Sequence, residues 1–232
     1  MAPWAYAAGV VGLAVALCIG CAAQFTAMPI LFFGHIAAML VCWCLMTSGS
    51  VVYVLMGGKN RDSVRPIHAA IQSTAVLAAV VGYCCIFRNH QLMGGSQLGF
   101  DPGNPPAKTA HALLGYVVLG CMFVQAFQGW SKYFGLQIGK IRYLAHPLNG
   151  RAVLAVAALN MALVLTTFPL SQALFGALAG GILVTSAAAV ILAGPAGKAA
   201  AREPICSEGA LFIETEKGYE QLAADDSEPT RQ

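Results

Sequence analysis

Charge is what this sequence is short of. Only 10% of its 232 residues are Asp, Glu, Lys or Arg, while 58% are hydrophobic. Soluble domains average about 25% charged residues. No charged residue occurs from Met1 to Gly58, from Pro66 to Phe87, from Thr109 to Ser131, or from Ala152 to Gly197. A soluble globular fold cannot hide that much apolar surface, and nothing in the composition suggests a nucleic-acid partner. The lipid bilayer is the expected solvent.

A crossing of a hydrocarbon core about 30 Å thick takes about 20 mostly apolar residues. The two middle runs fit one crossing each. The two outer runs are long enough for two, and proline, which lacks an N–H and tends to end helices, breaks them at Met28-Pro29 and Phe168-Pro169. The expectation is an all-α membrane protein with six transmembrane helices, near 5–25, 30–56, 66–87, 108–130, 146–168 and 171–194. The transmembrane domain spans 1–202, and an acidic tail, 203–232, follows. Up to Arg202 there are eleven basic and two acidic residues; from Glu203 there are eight acidic and two basic. A polar tail without amphipathic stripes reads as disordered.

Other absences exclude other readings. The first span ends in Cys-Ala-Ala-Gln, which resembles a signal-peptide cleavage site. No positive charge precedes it, which favours retention of the span. Eight cysteines are present, but no paired CxxC motifs at zinc spacing and no CxxCH for covalent haem attachment. The thiols are read as small hydrophobes, with Cys18/Cys21 the one pair spaced for redox chemistry. The loops 57–65 and 131–145 and the segment after the last span hold most of the Lys and Arg. By the inside enrichment of positive charge, both termini face the cytosol, and the Gly/Pro-rich loop from Arg88 to Lys108 faces the other side.

Five histidines occur, and four of them, His35, His68, His111 and His146, fall one per span in spans two to five. Ionisable residues inside a membrane are costly and are functional suspects. The alternating direction of the spans puts His35 and His111 at the extracytoplasmic level and His68 and His146 at the cytosolic level. The spacings match, at 76 and 78 residues, and the levels stand roughly 20 Å apart from a helical rise of about 1.5 Å per residue. Two imidazoles on facing helices fill both axial positions of a haem iron, which favours electron transfer over oxygen binding. Gly34, Ala37, Ala69, Ala70, Ala112, Gly115, Ala145 and Gly150 beside them leave room for a porphyrin, or equally for close helix packing. On the residues alone, a haem-free transporter or channel using the histidines as a metal or proton path stays open. The absence of midplane charge and of intramembrane carboxylates weighs against it.

The stretch from His35 to Thr167 resembles the cytochrome b561 family of two-haem transmembrane oxidoreductases. The matching pieces are Arg65-Pro-Ile-His68, Lys108-Thr-Ala-His111-Ala-Leu-Leu-Gly115 and Arg142-Tyr-Leu-Ala-His146-Pro-Leu-Asn-Gly150. The resemblance implies a haem core over about 30–168, with spans one and six at its flanks. It implies two non-covalent haem b groups on the axial pairs His35/His111 and His68/His146. It further implies electron transfer from a cytosolic donor such as ascorbate to an extracytoplasmic acceptor, monodehydroascorbate or a ferric chelate, as in a ferric reductase. Val51-Val52-Tyr53-Val54 stands where ascorbate-linked members carry a Leu-Val-Tyr-Arg type sequence, which places the chain nearer a divergent, core-only branch. Basic residues suited to an anionic donor at the cytosolic level are Arg65, Lys140 and Arg142. Candidate acceptor residues on the far side are His90 and Lys108. A homodimer in an endomembrane (endolysosomal or vesicle) or the plasma membrane is compatible with this reading, and Tyr219-Glu-Gln-Leu222 in the tail resembles a cytosolic sorting signal.

Overall fold

The computed structural model describes residues 3–24, 29–56, 61–137, 145–167 and 172–192. It is an all-α membrane protein of six helices: α1 (Pro3–Gln24), α2 (Ile30–Met56), α3 (Arg61–Met93), α4 (Pro106–Gln137), α5 (Ala145–Leu165) and α6 (Gln172–Leu192). Helices are the expected answer to such apolar runs, because lipid offers no partner to a backbone N–H or C=O. The stretches Ile30–Val51, Ser63–Met93, Pro106–Gly135 and Ala145–Leu165 are each long and apolar enough to cross a bilayer. The described apolar stretches of α1 and α6 are shorter, Ala8–Leu17 and Gly176–Leu192. All described residues lie in one compact unit, Met1–Ala201. The expected acidic tail and its Tyr219 motif fall outside the described residues.

Two helices run past the charge limits that set the expected spans. α3 begins at Arg61 and ends at Met93, and α4 continues to Gln137. Charge marks where a helix leaves the hydrocarbon, not where its hydrogen bonds stop. Pro66 is the sixth residue of α3 and lies inside the helix, which forgoes the bond its missing N–H would make to the carbonyl four residues back.

The helices form two close pairs, α2 on α3 and α4 on α5, with sparser packing between the pairs. α1 lies on α2 and α6 on α5, and α6 also reaches α1 and α2. The most deeply buried side chains, Trp43, Ile182, Val10 and Val51, join α1, α2 and α6. By contrast α4 buries one apolar side chain among the described residues, Met122. The outward faces are apolar, with Leu77, Val117, Phe127 and Val184 all more than half exposed, as lipid contact requires.

The segment joining α3 to α4 is folded. α3 ends where Gly94 takes φ 70° and Gly95 N donates to His90 O at 3.0 Å, the left-handed cap that glycine allows without penalty. Asp101 accepts from Ser96 N at 2.8 Å and from Asn104 Nδ2 at 3.2 Å. Thr109 Oγ1 donates to Gly99 O at 2.8 Å, and Gln97 Nε2 to Phe87 O at 3.2 Å. These bonds tie the connection to both helices.

The Trp43 indole N–H donates to Ser186 Oγ at 2.9 Å, with both groups buried. Side-chain hydrogen bonds between membrane helices average about 0.6 kcal/mol. Trp43→Phe and Ser186→Ala should each lower the thermal midpoint in detergent by an amount of that order, plus a packing loss for the first. The double variant should cost less than the two singles together, and strict additivity would mean that the bond contributes nothing.

Candidate metal centres

Each of the four intramembrane histidines lies on a helix that carries, fourteen residues later, the residue facing the histidine of the paired helix. The couples are His35 and Gly49 on α2, His68 and Gly82 on α3, His111 and Gln125 on α4, and His146 and Asn160 on α5. Fourteen residues are just under four turns, so both members share one face, about 21 Å apart along the axis.

The contacts are reciprocal within each pair of helices. His35 Nδ1 meets Gly82 O at 2.9 Å, and His68 Nδ1 meets Gly49 O at 3.0 Å. His111 Nδ1 meets Asn160 O at 3.3 Å and Asn160 Oδ1 at 3.1 Å. A carbonyl oxygen only accepts, so in these three rings Nδ1 carries the proton and Nε2 keeps its lone pair. That is the tautomer of a ligand held by an outer partner. In the fourth contact, Gln125 Nε2 donates to His146 O at 2.9 Å. The Gln125 carbonyl lies near the His146 ring, but His146 Nδ1 is buried with no hydrogen-bond partner among the described residues.

The histidines fall into two groups. The His35 and His111 rings stand 6.5 Å apart between centroids, at 76°. The His146 ring is within Coulombic reach of His68, and Lys132 is within reach of both. Two metal–nitrogen bonds of about 2 Å each, and roughly 1 Å from each nitrogen back to its ring centre, separate trans imidazole centroids by about 6 Å. The His35/His111 spacing therefore fits a six-coordinate iron. Among the described residues no group of three or more His, Cys, Asp or Glu could hold a metal ion. A pair of imidazoles short of the four ligands of a closed zinc site suits a metal that brings its own equatorial ligands, as a porphyrin iron does.

The surroundings are built closely. Tyr53 lies over His68 with centroids 4.8 Å apart. A Cβ on Gly129 would come 3.0 Å from His146 Cε1, so a larger residue there would have to push that ring aside. A Cβ on Gly49 would meet Ile71 Cγ2 at 2.8 Å and Gln72 Nε2 at 3.0 Å. Two of the small residues beside the histidines meet neighbouring helices: Gly34 faces Cys85 Sγ, and Gly150 faces Gln125 Nε2. The described thiols Cys42, Cys44, Cys84, Cys85 and Cys121 form no disulfide.

The substrate candidates divide. Arg65 is half-buried on α3, one turn before His68. Lys140 and Arg142 lie outside the described residues. His90, expected in a loop, occupies the last turn of α3, within Coulombic reach of His35. Lys108 Nζ donates to Asn104 Oδ1 at 3.0 Å, so it helps hold the connecting segment. Asn160, Gln125, Gly49, Gly82 and Gly129 were not singled out as partners of the histidines by the sequence. The fourteen-residue spacing is the signal that would have found the first four.

The arrangement defines a class first: a helical membrane protein with paired imidazoles at two depths, as in membrane-bound cytochromes. The family model for eukaryotic cytochrome b561 matches residues 34–176, and the chain belongs to that family. The family binds haem b and carries out transmembrane electron transfer, so the chain is a transmembrane oxidoreductase in that general sense. No curated protein and no solved structure matches it.

Gly129→Ala should displace the His146 ring and reduce bound haem b, read by pyridine haemochrome, with helicity unchanged. Gly115→Ala, whose Cβ would rest at an ordinary 3.7 Å from Asn160 Nδ2, should leave the haem content intact. Equal haem in both variants would refute the close approach at Gly129.

Proposed function

We propose that this chain passes electrons across a membrane from a cytosolic donor, ascorbate or a similar reductant, to an extracytoplasmic acceptor, monodehydroascorbate or a ferric chelate. In this reading His35/His111 and His68/His146 hold two haem b groups, the second pair at the cytosolic level, with both termini cytosolic. Bound haem iron supplies the one-electron chemistry, and the protein supplies ligands, orientation and dielectric. The observation that carries the reading is the His35/His111 pair, 6.5 Å apart, with Nδ1 of each ring turned to a carbonyl. That leaves Nε2 of each as the coordinating nitrogen.

The residues divide the remaining work. Gly82, Gly49 and Asn160 fix ring orientation and tautomer. Arg65, with Lys140 and Arg142 nearby in sequence, offers positive charge for an anionic donor beside the His68/His146 level. His90 supplies a polar group next to the His35 level, where an acceptor reaches the far face, and Lys108 supports the segment above it. The expected setting is an endomembrane or the plasma membrane.

The dithionite-reduced minus oxidised spectrum of detergent-purified protein tests the ligand assignment. Two low-spin b haems per chain are expected. His35→Ala and His111→Ala should lose the same spectral component, and His68→Ala and His146→Ala the other. Any other pairing, or a haem-free folded preparation, would refute it. For the substrate faces, Arg65→Ala should raise the KM for ascorbate several-fold with haem content unchanged. His90→Ala should slow ferric chelate reduction, and unchanged rates with every external acceptor would remove His90 from the acceptor site.

A further inference from the structure

The two helix pairs are copies of one design. His35 and His111 are 76 residues apart, as are Gly49 and Gln125; His68 and His146 are 78 apart, as are Gly82 and Asn160. In the first pair both partner positions are glycine, and the ring Nδ1 atoms meet backbone carbonyls. In the second pair both are carboxamides, and the two carboxamides act differently. Asn160, buried in α5, adds Oδ1 at 3.1 Å as a second acceptor for His111 Nδ1. Gln125 turns its amide nitrogen to the His146 carbonyl at 2.9 Å, and its Oε1 and the His146 Nδ1 are both buried without a hydrogen bond among the described residues.

The same end of the bundle carries a cation. α4 presents Gln125, Gly129 and Lys132 along one side. Gln125 bonds the His146 backbone, Gly129 abuts the His146 ring, and Lys132, one turn further, is within Coulombic reach of both rings. A fixed positive charge disfavours the oxidised, more positive state of a nearby iron. An imidazole that donates its Nδ1–H to a good acceptor becomes more basic and favours the oxidised state, and hydrogen bonding around the ligands is one of the protein's levers on potential.

From these contacts we infer that Asn160 and Lys132 are positioning residues that tune the two haem sites in opposite directions. Asn160 lowers the reduction potential of the His35/His111 site, and Lys132 raises that of the His68/His146 site. The inference rests on the ligand pairs of the proposed function. Asn160 acts through His111, by orienting the ring and polarising its N–H. Lys132 acts through space, and its charge matters rather than its shape. The His68/His146 site is thereby the one more readily reduced.

The test is a redox titration of the full-length protein in lipid nanodiscs, with dithionite and ferricyanide, following each haem by its absorbance band and its ferric electron paramagnetic resonance signal. His35→Ala and His146→Ala assign the components. The expected results are that Asn160→Leu raises the midpoint of the His35/His111 component and alters its resonance signal, leaving the other in place. Lys132→Met should lower the His68/His146 midpoint alone, and Lys132→Arg should restore it. Two bound haems with neither midpoint moved, or with both variants moving the same component, would overturn the inference and leave the two-haem reading standing. Should Asn160→Leu fail to fold, the Lys132 pair decides, since an unmoved midpoint in Lys132→Met overturns the opposed tuning. A wild-type preparation without two components would instead refute the ligand assignment beneath it.

Discussion

The structure turns on one constraint: an imidazole in hydrocarbon must have its N–H satisfied while its other nitrogen stays available. A buried polar group without a partner costs several kcal/mol in so apolar a setting. For His35, His68 and His111 the partner is a carbonyl on the adjacent helix, and in the first helix pair the need is met reciprocally. α2 satisfies the histidine of α3, and α3 satisfies that of α2. Such bonds need the helices close together, which explains the glycine at position 49, where any Cβ would strike Ile71 and Gln72. They also hold the rings ready, so that bound haem would meet oriented ligands without further ordering of the side chains. α1 and α6, joined to α2 through Trp43 and Ser186, buttress the pair from outside.

Orientation gives these parts a direction. In the proposed orientation, with the His68/His146 level toward the cytosol, an electron leaving outward moves down a membrane potential that is negative inside, worth about 2.3 kcal/mol per 100 mV for a full crossing. That field can carry an electron from a site that holds it firmly to one that holds it less firmly. A cation such as Lys132 near the entry level therefore assists loading without forbidding onward transfer.

The architecture was legible in the sequence because two signals were strong. Long uncharged runs set the six helices, and four histidines at alternating ends of four spans set the two levels. Helix ends were less legible, since α3 stays helical through Arg88 and His90 to Met93. The outer partners were hidden for a physical reason. Gly49 and Gly82 act through backbone carbonyls, which every residue has, so identity carries almost no information there. Gln125 and Asn160 were the detectable ones, as carboxamides within apolar spans. Gly34 and Gly150 were ambiguous because a small residue serves a porphyrin and a neighbouring helix equally well.

A two-helix unit crosses the bilayer and returns, so a tandem copy of it enters from the same side. One such unit, taken alone, carries half of a metal site at each face and a complete site at neither. In the proposed reading, doubling it completes both at once. A short chain of two helices that associated with itself would already have possessed the full pair of centres. In one chain the halves are free to differ, and glycine in one against carboxamide in the other at the two partner positions is where their ends do.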